Sequence, residues 1–121
     1  MVLGFKEQFK EKILDGSKIH TIRRDKENRW CEGKIIEFTT EVGTDISEFF
    51  KICECLNVQD IFINSLNNIV KVDGEILNAT RIWRLSVNDG FKNTYDFFEF
   101  FNKNYGEYFT GKIIHWTDFK Y

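Results

Sequence analysis

The chain has 121 residues, 42% of them hydrophobic and 30% charged, with a net charge of −2. That length reads as one domain spanning 1–121, with a core that buries roughly two-thirds of the surface an unfolded chain exposes. The near-neutral charge excludes a global pull toward nucleic acid, so any such binding has to come from a local patch.

Aromatic residues make up 17% of the chain, 13 of them phenylalanine, and proline is absent, so ring packing fills the core and turns rest on Gly, Asn and Asp. No apolar run is long enough to span a membrane and no basic-then-apolar leader is present, so a cytoplasmic protein is expected. Cys31, Cys53 and Cys55 are odd in number, which argues for reduced thiols rather than a disulfide framework. Monomer is the working expectation for oligomeric state.

Taken in order, Val2-Leu3 suggests a short strand. Phe5, Phe9 and Ile13 then recur every four residues among Lys and Glu, the pattern of an amphipathic helix, which Gly16 terminates. Thr21-Ile22-Arg23 reads as extended and Asp25 to Arg29 as loop. Lys34 to Thr39 is a strand, and so is Phe49 to Leu56, with Phe50, Ile52 and Leu56 on one face. Ile61-Phe62-Ile63 is another. Asp73-Gly74 supplies the positive φ angles of a tight hairpin between Ile69–Val72 and Glu75–Leu77. Ala79 to Val87 is ambiguous and is read as a short helix ending near Asn88-Asp89-Gly90. Thr94 to Tyr105 is a helix capped by Asn93 or Thr94, with Phe97, Phe98, Phe101 and Tyr105 as its buried stripe. Lys112 to Thr117 is a closing strand. Short strands interleaved with three helices fit an α+β fold, a small and mainly antiparallel barrel with flanking helices.

The densest chemistry follows Gly16, where Lys18, His20, Thr21, Arg23 and Arg24 crowd together. A threonine hydroxyl needs a neighbouring base to become a nucleophile, and a lysine serves only when burial or nearby positive charge lowers its pKa. Arginine is the preferred fork for phosphate or carboxylate. Lys18 and Thr21 converge only if the turn after Gly16 bends the chain, because residues three apart in a strand face opposite ways. A solvated basic loop is the plain alternative. Asp89 is either a carboxylate set opposite Lys18 or an aspartate stabilising its own turn.

Arg23, Arg24, Lys26 and Arg29, closed by Trp30, form the one dense basic stretch. Arginine beside an aromatic ring clamps a backbone while stacking a base, although Trp30 also suits the core. His115 before Asp118 is open to acid–base use or to a structural role. Cys53-x-Cys55 lacks the second ligand pair of a zinc site, so no metal is expected, and no cofactor motif is present.

Gly4-Phe5, Leu14-Asp15-Gly16-Ser17-Lys18-Ile19-His20-Thr21-Ile22-Arg23, Arg29-Trp30, Gly33-Lys34, Asp89-Gly90-Phe91 and Gly111 to Asp118 together resemble the ASCH domain family of the PUA-like superfamily. The resemblance runs over nearly the whole chain and looks like a subgroup of small bacterial and phage-type proteins. It implies a barrel with flanking helices, a cleft along the Gly-x-Lys-x-x-Thr segment, and RNA or a modified nucleoside as partner. Some relatives hydrolyse the amide of N4-acetylcytidine with a lysine, a threonine and a glutamate; Lys18 and Thr21 match the first two. Asp89 stands nearest the third, one methylene shorter. The resemblance thus implies Lys18, Thr21 and Asp89 as catalytic residues of an amidohydrolase. His20, Arg23, Arg24, Lys26, Arg29 and Trp30 are the expected ligand contacts. A non-catalytic RNA-binding module and a ribonuclease using His20 or His115 are the alternatives.

Overall fold

The computed structural model describes residues 1–41 and 43–121. In chain order the elements are β1 (Val2–Phe5), α1 (Glu7–Leu14), β2 (His20–Arg23), β3 (Ile35–Thr40), β4 (Glu48–Glu54), β5 (Asn57–Asn64), β6 (Ile69–Val72), β7 (Glu75–Ile76), α2 (Ala79–Asn88), α3 (Thr94–Tyr105) and β8 (Tyr108–His115). The fold class is α+β.

The strands divide between two sheets, ordered β1-β3-β4 and β2-β8-β5-β6-β7. Each sheet keeps its own edges, so the expected closed barrel is not formed. Antiparallel pairing dominates, but β1 lies parallel to β3, with Leu3 opposite Phe38. The reason is visible in the path: α1 carries the chain from β1 in the small sheet to β2 at the edge of the large one.

The large sheet is the middle layer. On one face Ile22, Ile61, Ile63, Val70, Phe109 and Ile113 meet Ile82 and Leu85 of α2 and Phe97, Phe98 and Phe101 of α3. On the other, Ile114 meets Leu3, Phe5, Ile36 and Phe38 of the small sheet, with Ile13, Trp30 and Trp116. Burying each such ring or branched side chain contributes about 1.5–3 kcal/mol, and Phe38 packs its ring 4.9 Å from Trp116 and 5.6 Å from Phe5.

Local signals account for the helix ends. Asn78 and Asn93 accept from the Arg81 and Asp96 amides to start α2 and α3. Asp73 and Gly74 take φ values of 50° and 83° in the hairpin. Two expectations change. Phe5 belongs to β1 and its ring is core, so α1 begins only at Glu7. Of the face expected from Phe50, Ile52 and Leu56, only Phe50 packs on the core, against the Phe38 ring, while Ile52 and Leu56 are exposed. No helix among the described residues is long and apolar enough to cross a membrane.

Candidate ligand cleft

Three pieces of chain meet at one cleft. Gly16, at φ +85°, lets the chain leave α1 and double back, so the Lys18 amide donates to the Lys12 carbonyl at 2.9 Å. This bend turns the Lys18 side chain inward, where it is only 3% exposed. On β2, alternation sets Thr21 and Arg23 on one face and His20 and Ile22 on the other. Asp89 caps the C-terminus of α2 and is 4% exposed. Lys18, Thr21, Arg23 and Asp89 all line the same hollow of about 200 Å³. The bend that convergence of Lys18 and Thr21 required is therefore present.

The electrostatics of the cleft follow from these positions. Lys18 Nζ donates to the Asp89 carbonyl at 2.5 Å and to Asp89 Oδ1 at 3.2 Å. Burial pushes the Lys18 pKa down, Asp89 pulls it back up, and Arg23 and Lys12 press it lower again. Arg23 donates to the Gly4 carbonyl at 2.7 Å and makes a long bond to Thr21 Oγ1 at 3.4 Å. Its guanidinium lies 5.0 Å from the Phe5 ring centroid, and burial lowers its pKa as well. The hydrogen bonds of Lys18 run to Asp89 and not to Thr21, whereas Asp89 Oδ2 takes no donor among the described residues.

Aromatic rings wall the hollow: Phe5, Phe9, Phe91, Phe100 and Tyr105. Gly90 is what lets two walls close. A Cβ there would stand 3.0 Å from Phe9 Cδ1 and 3.1 Å from Lys18 Cδ, at a φ of +98°. Lys12 Nζ ties this turn from α1, donating to the Gly90 carbonyl at 2.7 Å. Three cations (Lys6, Lys18 and Arg23), one carboxylate and a hydroxyl between ring faces suit a small planar ligand that carries carbonyl or anionic oxygens.

The other sequence-predicted residues lie elsewhere. His20 is fully buried on the far face of β2 and meets Asp89 from behind, so it is no direct contact for a ligand in the cleft. Arg24 stacks on the rim, 4.9 Å from the Tyr105 ring centroid. Lys26, Arg29 and Trp30 border a separate shallow hollow with Arg24 and Met1. The Trp30 ring is core at 8% exposure, held there as Asp25 accepts from the Trp30 and Arg29 amides. It offers no open face for stacking. His115 is buried beside His20, and that burial holds its pKa down to about 3. Cys55 is buried with its thiol pushed up to about 11 by that burial, and no grouping of three His, Cys, Asp or Glu side chains suited to a metal occurs among the described residues.

Sequence reasoning missed the partners behind the cleft. Tyr121 bonds His20 at 2.6 Å, and Gln59 holds the Tyr121 backbone at both its amide and its carbonyl. Only the long spacing between these positions hides them, since neither sits in a motif. The aromatic walls were partly legible in Gly4-Phe5 and Gly90-Phe91, which flank the charged residues in the chain.

Among known proteins, no family model, no curated protein and no solved structure matches this chain.

Proposed function

We propose that the chain is an ASCH-type, PUA-like domain whose cleft takes the base of a modified nucleoside, free or within RNA, and hydrolyses an acyl-amide on that base, as in N4-acetylcytidine. The observation that carries this reading is the meeting of Lys18, Thr21, Arg23 and Asp89 at one aromatic-walled hollow. The base stacks between phenylalanine rings, and Arg23 holds the acyl oxygen as negative charge develops on it. Burial keeps Lys18 below its ordinary pKa, so when the ligand amide N–H engages Asp89, the Lys18 ammonium gives its proton to solvent and the neutral amine accepts the Thr21 hydroxyl proton. Thr21 Oγ1 then bonds to the acyl carbon, the carbon–nitrogen bond breaks, and the amine leaves with the proton from Lys18. Water hydrolyses the resulting threonine ester and releases the acid. Asp89 Oδ2, to which no described residue donates, is the acceptor that orients the leaving amine.

The test is purified protein with N4-acetylcytidine, followed by chromatography for cytidine. Cytidine release that disappears in Lys18→Ala and Thr21→Ala supports the reading; no release, or undiminished release in both variants, refutes it. The Lys18–Asp89 pairing, which leaves Lys18 without a bond to Thr21, favours a second reading: a non-catalytic module that binds RNA through the same cleft and Arg24. That reading gives salt-sensitive RNA affinity with no chemistry. Neither His20 nor His115 lines the cleft, so nothing favours a ribonuclease that uses them.

A further inference from the structure

Behind Asp89, on the side away from the cleft, polar side chains run in a line through otherwise apolar packing. Asp89 Oδ1 meets His20 Nδ1 at 3.2 Å, His20 Nε2 meets the Tyr121 hydroxyl at 2.6 Å, and Asn88 Nδ2 donates to that hydroxyl at 3.1 Å. The partners fix the protons. A carboxylate only accepts, so the His20 proton sits on Nδ1. A neutral imidazole then offers a bare Nε2, to which the Tyr121 hydroxyl donates, while the hydroxyl oxygen accepts from Asn88. Both ring nitrogens of His20 and the Tyr121 hydroxyl are thereby partnered.

Neutral His20 also agrees with its surroundings. The groups facing it are Asp89, Lys18, His115 and Tyr121, and burial outweighs the pull of Asp89 to lower its pKa. Tyr121 is held independently of its hydroxyl. Its amide donates to Gln59 Oε1 at 2.9 Å and its carbonyl accepts from Gln59 Nε2 at 2.7 Å. Gln59 Oε1 also accepts from His115 Nε2 at 2.9 Å. The phenol is thus a fixed donor aimed at His20.

We propose that His20 and Tyr121 are positioning residues for the cleft carboxylate: the chain from Tyr121 through His20 pins Asp89 Oδ1 and leaves Oδ2 turned to the ligand. His20 competes with Lys18 for the same oxygen, so Lys18 makes a single contact with the carboxylate rather than a two-oxygen clasp. That looser hold is what lets Lys18 be released when a ligand engages Asp89. The kinetic half of this inference rests on the acyl-amide reading above; the tautomer half does not.

The experiment combines imidazole nitrogen NMR with the kinetics of cytidine release from N4-acetylcytidine in the full chain. In the native protein His20 carries its proton on Nδ1. Tyr121→Phe, which removes one oxygen, moves the Nε2 resonance toward that of an unbonded nitrogen and lowers kcat about fivefold at unchanged KM, the worth of one net hydrogen bond. His20→Asn keeps an N–H donor for Asp89 and retains more kcat than His20→Ala. A native His20 protonated on Nε2 overturns the proposal, as do equal rates for His20→Asn and His20→Ala, or a Tyr121→Phe protein that loses stability without losing kcat. If the native protein releases no cytidine, the acyl-amide reading and the kinetic half fall together, and the imidazole spectrum still decides the tautomer half, which a proton on Nε2 overturns.

Discussion

Asp89→Asn is the sharpest perturbation of the cleft, because it removes a charge and almost no volume. The Lys18 ammonium lies 3.2 Å from Asp89 Oδ1, where a pair at an effective dielectric constant of 20 attracts by about 5 kcal/mol. Both side chains are about nineteen-twentieths buried, so little solvent screening discounts this. Asparagine keeps an acceptor for Lys18 and leaves the buried ammonium without its counter-charge, a loss of about 3–5 kcal/mol. Lys18→Met costs less, since His20 still donates to Asp89. The double variant Lys18→Met/Asp89→Asn costs clearly less than the sum of the singles, with a coupling of at least about 2 kcal/mol. Urea denaturation of the four proteins measures this directly. The pH dependence gives a second readout. Lys18 has a folded pKa below its unfolded 10.5, so the unfolded chain binds the extra proton and stability rises with pH across that window. Asparagine lowers the folded value further, so the deficit of the Asp89→Asn protein shrinks as pH is raised from neutrality. Additivity of the singles within about 0.5 kcal/mol, or a deficit that is flat with pH, refutes the pairing.

Two further outcomes follow from the same geometry. His115, depressed from 6.5 to about 3, contributes stability that is complete above 6.5 and is lost as pH falls toward its folded value; NMR titration finds its ring neutral at pH 5, and a charged ring there contradicts the burial argument. Gly90→Ala places a methyl 3.0 Å from Phe9 and 3.1 Å from Lys18 at positive φ. It lowers unfolding free energy by about 2–4 kcal/mol, read as a drop in the urea midpoint, and a shift below about 0.5 kcal/mol shows that the two walls do not close there.

Features set by nearby residues were legible in the sequence. α3 runs from Thr94 to Tyr105 as the phenylalanine spacing predicts, with Asn93 as its cap and Gly106 after it. The Asp73-Gly74 hairpin and the bend at Gly16 follow from positive φ at those glycines and Asp73. Features set by distant partners were not. β5 begins at Asn57 rather than near Ile61 because β8 supplies its ladder, with Asn57 opposite His115 and Gln59 opposite Ile113. The split into two sheets depends on β1 choosing β3, a parallel pairing across α1 and β2. In the cleft, Lys18 and Thr21 stood out because a short motif holds them together. The role of His20 was misjudged, because its partner Tyr121 lies 101 positions away.

The measurement that bears most directly on the account is an amide-resolved NMR titration of the isotopically labelled protein with N4-acetylcytidine. Saturable shifts confined to Phe9, Lys18, Thr21, Arg23, Gly90 and Phe91 are the predicted result, with the Lys26 to Trp30 loop unmoved. Shifts centred on that loop, or none at any of the cleft residues, contradict the central claim that this hollow is where the protein meets its ligand.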